Sequence, residues 1–339
     1  MPPIHTLVSA CLGKSAAAAL FSQMDIHPAL TQASAGDISR AELAQALNMV
    51  LFHGLLERVP VGKDYVEGEV SQNHRKIVFD HGAVRTVRWP CGDLPQGEQA
   101  LVRILGPLGF TLAATYPLPK LKMTGRAYCH QDFPQDIAQF FVSELHPEQF
   151  SPTFQDGVTR VLASSKNPLN EEDMATLVQL AQTGALSMQQ ALTALPKWAA
   201  CFGKQHADVA LSDYELLLAE SAEMAWIATE GNAFNHATDR VQDVYGAAQQ
   251  QRQLGRPIKD KVEVSASSRV RQTAFLAARV ERSMTSADGS VMRSVPGSFF
   301  ELISRDVLQA DQKTLDLAFD AGNATGIFGM TRANAKANV

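Results

Sequence analysis

Cysteine is scarce in this chain. Cys11, Cys91, Cys129 and Cys201 lie far apart, and no two form a C-x-x-C pair. That spacing excludes a structural zinc site of the finger or ribbon kind, and it excludes a disulfide framework. Four scattered thiols fit a reducing compartment, so the protein is expected to be cytoplasmic. An excess of one charge is also missing. The net charge of −5 and pI near 6.0 provide no basic surplus to follow a phosphate backbone, so no nucleic-acid partner is expected. No block of like charge marks a disordered tail. Nor does any apolar run reach the roughly 18 uninterrupted residues of a membrane span, so no membrane partner is expected. The alanine-rich stretch LVSACLGKSAAAALF (7–21) has no basic region ahead of it and is interrupted by Lys14. It reads as a buried helix rather than a signal peptide.

What the chain does have is enough apolar residue, 45% of 339, to bury one large core or a few smaller ones. Residues 1–75 read as helical. In 37–59, Leu43, Leu47, Val50, Leu51 and Leu55 recur at three- and four-residue spacing behind a capping Asp37 or Ser39. His53 lies in this stripe and reads as an ordinary helix residue. Residues 76–149 change character: IVFDHGAVRTVRW is a strand, EQALVRILGPLGF a short helix, 111–130 two strands about a turn, and IAQFFVSEL a short closing element. Residues 150–228 are helical again, with NEEDMATLVQLAQTG carrying acidic residues in its first turn and Gly184 as its stop.

From 229 to 310 the earlier order returns. AFNHATDRV matches the first strand, QDVYGAAQQQRQLG the helix, 257–282 a longer strand pair, and SFFELISRD the closing element, before a tail at 311–339. Phe-[Asp/Asn]-His-x-x-x-Arg is therefore written twice, with His81 and His236 separated by 155 residues. Two copies are too few for a solenoid. The expectation is an α+β fold of paired βαβββ modules, interrupted by a helical insertion.

Two such modules packed side by side would bring their first strands, and so His81 and His236, to one cleft. Alternate strand residues share a face, so His81, Ala83 and Arg85 should point the same way. In FFELISR, Glu301 interrupts an apolar strand, and a buried carboxylate needs a partner. Two imidazoles and a carboxylate make the facial triad that leaves open positions on Fe(II); Zn(II) or Mn(II) could also accept the set. Taken singly, each histidine reads as a satisfied polar residue, and Glu301 as a partner for Arg305 or Arg282. The shared repeat position favours the metal site. Aligning FFVSE (140–144) on FFELI (299–303) sets Val142 opposite Glu301, which leaves three ligands. A two-residue slip would restore Glu144 as a fourth.

DHGAVRT, NAFNHATDRV and PGSFFELISR resemble motifs of the 2-oxoadipate dioxygenase/decarboxylase family, the 2-hydroxyglutarate synthases. The likeness runs from about residue 75 to 330, with FVSEL (141–145) and NATGIF (323–328) adding to it. That family belongs to the vicinal-oxygen-chelate, glyoxalase-like superfamily, so the resemblance implies a half-barrel metal cleft. It implies Fe(II) held by His81, His236 and Glu301, with Arg85 binding the far carboxylate of the substrate. The implied reaction is oxidative decarboxylation and hydroxylation of 2-oxoadipate to 2-hydroxyglutarate, using O2 and releasing CO2, in lysine catabolism. Strand geometry agrees: four residues place the backbone of Arg85 roughly 13 Å from that of His81, and a planar fork suits a carboxylate. Ser265 and Gln272 are further candidates for binding substrate. Asp80 and Asn235 should point away from the cleft, and Arg240, which repeats Arg85, should pair with a carboxylate. His74, His130, His146 and His206 lie outside the repeated positions and are given no role. Two other readings remain: an oxygen-independent glyoxalase-like isomerase or lyase using Glu144 as a fourth ligand, and a non-catalytic small-molecule-binding module.

Overall fold

Local signals set the helical opening of the chain. In the computed structural model, which describes residues 2–32, 36–320 and 322, the helix Arg40–Arg58 begins with a reciprocal capping box. The Ser39 side chain accepts from the Glu42 amide, and the Glu42 carboxylate accepts from the Ser39 amide. The stretch at 7–21 is indeed helical, but as parts of two helices, Pro3–Leu12 and Lys14–Gln23, broken at Gly13. Gly13 has φ 86°, a backbone that side chains with a Cβ resist. None of the described helices is long and apolar enough to cross a membrane.

Two modules share one eight-stranded sheet. The first supplies β1 (Phe79–Val87), β2 (Phe110–Leu118), β3 (Met123–His130) and β4 (Gln139–Leu145), with the helix Gln99–Leu105 after β1. The second supplies β5 (Phe234–Arg240), the helix Val244–Gln253, β6 (Glu263–Val264), β7 (Val270–Ala274) and β10 (Phe299–Arg305). The spatial order is β2-β3-β4-β1-β5-β10-β7-β6, so each half reads outward from its own first strand. β1 runs parallel to β4, β5 runs parallel to β10, and β1 and β5 meet antiparallel at the centre. This is the expected α+β pairing of βαβββ modules, curled into a half-barrel.

One strand assignment differs. Residues 257–282 were expected to hold the second module's strand pair alone. In the structure β6 and β7 are short, and β8 (Arg279–Ser286) leaves the sheet to form a separate hairpin with β9 (Gly289–Pro296). Burial explains the departure. β7 is almost wholly buried, whereas β8 and β9 are largely exposed and alternate only weakly.

The convex face of the sheet carries the main core. Phe300, Leu302, Phe140, Val142 and Phe234 pack there against Leu47, Phe52 and Leu55 of the helix Arg40–Arg58. Each such side chain contributes about 1.5–3 kcal/mol by leaving water. Residues on the opposite face of the same strands line the concave cleft. Within the helical insertion, Glu171–Thr183 and Met188–Ala200 join the main core, whereas Pro152–Leu162, Leu211–Glu220 and Ala222–Glu230 pack with the β8–β9 hairpin in a second core.

Candidate metal centre

The central antiparallel pair sets the site. Across β1 and β5, His81 lies opposite Thr238 and Ala83 lies opposite His236, so the two imidazoles are diagonal neighbours on the concave face. Their Nε2 atoms are 3.4 Å apart. β10 then places Glu301 beside Thr238. Glu301 Oε2 is 3.4 Å from His81 Nε2 and 3.5 Å from His236 Nε2. These three buried groups form a nearly equilateral triangle of ligand atoms, and at such edges one ion can lie about 2 Å from all three. The Thr238 hydroxyl donates to Glu301 Oε2 at 2.8 Å and lies 3.1 Å from His81 Nε2.

Each strand of the central pair carries one extra residue, immediately before its histidine. The register shifts between Phe79 and His81 on β1, and opposite Ala83 and Val84 on β5, leaving Asp80 and Asn235 as the bulged residues. A bulge re-aims side chains. Asp80 and Asn235 therefore do not point away, as strict alternation requires, but flank the rings that follow them. His81 Nδ1 donates to Asp80 Oδ1 at 2.8 Å, and His236 Nδ1 lies 3.4 Å from Asn235 Oδ1. Both contacts occupy Nδ1 and leave Nε2 facing the triangle, the arrangement by which outer partners orient a metal-binding imidazole. Asp80 is in turn gripped by Arg305, whose Nε and Nη2 donate to its two oxygens at 2.9 Å. Arg240 sits 3.5 Å from Asp80, the carboxylate pairing expected of it.

The electrostatics suit a cation. Burial opposes charge on Asp80, but Arg305 and His81 outweigh it and hold the carboxyl well below the usual range. Burial likewise opposes charge on Glu301, and His236, His81 and Thr238 hold its pKa down. Burial pushes His236 down to about 3, so it is neutral with a lone pair available. Burial lowers the His81 pKa, but Asp80 and Glu301 outweigh it and raise the value overall; two carboxylates around one ring call for a positive charge between them. Glu301 Oε1 is buried and has no hydrogen-bond partner among the described residues. An orphaned carboxylate oxygen beside two imidazole lone pairs fits a bound divalent ion.

The register corrects the expected alignment of the closing strands. His81 pairs with Gln139 and His236 with Phe299, so the counterpart of Glu301 is Phe141, not Val142. Val142 is on the convex face in the core. Glu144 shares that outer face, where its carboxylate accepts from the Glu98 amide at 2.9 Å and from Arg126 at 3.3 Å. It cannot reach the triangle. Arg305 and Arg282 do not pair with Glu301 either: the first holds Asp80 and the second holds Glu230.

A cleft opens in front of the triangle. His81, Ala83 and Arg85 line it from β1, as the strand period requires. Arg85 is fully buried, its guanidinium carbon 5.0 Å from the centre of the Trp226 ring. Burial pushes its pKa down to about 10, so it is still a cation at neutral pH. Gln272 also lines the cleft, from β7, but Ser265 does not. The Ser265 hydroxyl is used by its own turn, accepting from the Val270 amide at 3.1 Å. Sequence reasoning missed Thr238, Phe141 and Phe319. Thr238 was findable, two residues from His236 and so on the same strand face. Phe319 lies edge-on to His81, with centroids 4.8 Å apart. Leu315, Leu317 and Phe319 alternate with Asp316, Ala318 and Asp320, an extended pattern that an expectation of a tail passed over. NATGIF (323–328) lies outside the described residues.

Paired βαβββ modules define a protein of the glyoxalase-like class, and its buried His-His-Glu triangle could hold a metal ion. Residues 55–329 match the 2-oxoadipate dioxygenase/decarboxylase family, and the chain belongs to it. The chloroplastic 2-oxoadipate dioxygenase/decarboxylase of Arabidopsis thaliana is 23% identical over 304 residues, 81% of this chain and 74% of that protein. A crystal structure of a glyoxalase superfamily protein from Ralstonia eutropha JMP134 is 52% identical. It covers 95% of this chain and 99% of its own, with a TM-score of 0.90. The hydroxyglutarate synthase of Oryza sativa, solved in complex with 2-oxoadipate, shares the fold at a TM-score of 0.67 and 19% identity. That likeness spans 89% of this chain and 98% of the other.

Proposed function

We propose that this protein is an Fe(II)-dependent enzyme that converts 2-oxoadipate and O2 to 2-hydroxyglutarate and CO2, a step of lysine breakdown, in the cytosol. The observation that carries the reading is Arg85 on the same cleft face as the His81, His236 and Glu301 triangle. A cation at one end and a three-ligand centre at the other suit a diacid held at both ends. The family and the relatives named for this reaction support the same substrate class. The four cysteines are all free thiols, in keeping with a reducing compartment.

His81, His236 and Glu301 would hold the metal. When bound, Fe(II) supplies the binding of the 2-oxo acid and the activation of O2, which three protein ligands leave room for. Arg85 binds the far carboxylate and fixes the chain along β1. Thr238 and Asp80 keep Glu301 and His81 in place. Phe141 and Phe319 give the cleft apolar walls that exclude water from the reacting carbons. Gln272 is the remaining polar group placed to contact the substrate. The four-ligand isomerase reading loses its support, because Glu144 is bound on the other face of β4.

Oxygen uptake by anaerobically Fe(II)-loaded protein after addition of 2-oxoadipate tests the proposal, with CO2 and 2-hydroxyglutarate measured in parallel. Equal amounts of O2 consumed and CO2 released, abolished by His236→Ala, are expected. Stoichiometric iron without uptake would overturn the assigned substrate.

A further inference from the structure

The helical insertion reaches Arg85, a residue of the cleft wall, through its last helix, Ala222–Glu230. Ser221 caps that helix, accepting from the Met224 amide at 3.1 Å. Trp226 presents its ring to the guanidinium of Arg85 at 5.0 Å, and the indole is itself pinned by donating to the Gly297 carbonyl at 3.0 Å. Nearly one turn earlier the buried Glu223 supplies the negative charge that opposes the loss of charge on Arg85. Just past the helix, Asn232 donates to the Arg85 carbonyl at 2.7 Å. Positions 223, 226 and 232 thus bear on one cation carried by a strand of the first module.

A ring face against a desolvated guanidinium attracts it and fixes the plane of its fork. We propose that Trp226 is a positioning residue for Arg85, and that through it the insertion makes the cleft select a dianionic 2-oxo acid over a monoanionic one of equal length. This rests on the role given to Arg85 above. It adds a function for the insertion, which neither the metal triangle nor the paired modules require.

The test is calorimetric binding under anaerobic conditions, with no turnover needed. The metal-loaded protein is titrated with 2-oxoadipate and, separately, with 2-oxohexanoate, which has the same six carbons and one carboxylate fewer. Wild type should prefer the dianion. Trp226→Leu and the longer, unbranched Trp226→Met, both without a ring, should weaken 2-oxoadipate about tenfold and leave 2-oxohexanoate within about twofold. Trp226→Phe should recover most of the preference. If Trp226→Leu does not fold, Trp226→Met carries the comparison. A wild type without preference would overturn the role of Arg85 and this proposal with it. A preference in wild type that survives both ringless variants, or equal losses for the two acids, would overturn the role of Trp226 alone.

Discussion

Asp80 and Arg305, 225 positions apart in sequence, form a buried two-pronged ion pair directly behind a metal-ligand candidate. Arg305 is fully buried and Asp80 nearly so. The remaining Arg305 nitrogen, Nη1, donates to the carbonyls of Asp316 and Ala318, both at 2.8 Å. One guanidinium thus fixes the orientation of His81 and the path of the segment that ends on Phe319.

Removing one partner of such a pair strands a charge. Arg305→Met should cost about 3 kcal/mol, the lower end of the range for broken buried pairs, because Arg240 stays close to Asp80. Asp80→Asn should lower metal affinity about 10- to 100-fold, the usual effect of losing an outer partner. Urea unfolding and metal titration check these values. The double variant should lose less stability than the sum of the single ones.

Phe141 occupies the place that Glu301 has in the other module. Phe141→Glu should therefore set a second carboxylate toward the triangle and make a four-ligand site. Zinc or nickel should bind more tightly than in wild type, while 2-oxoadipate-dependent oxygen uptake falls by at least tenfold, as the added ligand takes an open position. Metal competition assays and oxygen consumption give the two readouts. Some stability should be lost as well, since Phe141 packs against Phe319 with centroids 4.9 Å apart.

Gly82 lies between His81 and Ala83, directly over the Phe234 ring. A Cβ there would fall 2.4 Å from that ring. Gly82→Ala should destabilise by about 1–3 kcal/mol, as overpacking does, and Phe234→Leu in the same chain should return part of the loss. Thermal unfolding of the two single variants and the double variant separates strain from lost burial.

His130 gives a pH signature away from the cleft. Burial pushes it down to about 4, and its Nδ1 accepts from the amides of Asp132 and Phe133 at 3.2 and 3.3 Å. The unfolded chain, with an ordinary value of about 6.5, takes up the proton first on acidification. Stability from this group is therefore complete above about pH 6.5 and is lost as pH falls toward 4. His130→Asn keeps an acceptor but does not titrate, and should flatten that part of the stability profile.

The repeat was legible because both halves keep the same strand-helix-strands order and the same Phe-x-His-x-x-x-Arg spacing. His81, His236 and Glu301 stood out as polar residues on strands otherwise fit for a core. Asp80 and Asn235 were misplaced because a bulge arises from pairing between strands 155 residues apart, which local alternation cannot register. Val142 was set opposite Glu301 for a related reason: two adjacent phenylalanines allow two registers, and only the partner strands choose between them. The β8–β9 hairpin was absorbed into the module because its strands carry β-branched residues without the burial that central strands have. Thr238 was passed over although its position on the face of His236 was open to view.

The ligand candidates come from positions 81, 236 and 301, and the brace for the first comes from 305. A chain growing from its N-terminus holds one imidazole through the whole helical insertion, gains the second with β5, and completes the set only when β10 emerges. Both modules are therefore largely in place before the pocket can take its ion, and a chain cut short after β9 would carry an open pair of histidines without the carboxylate that joins them.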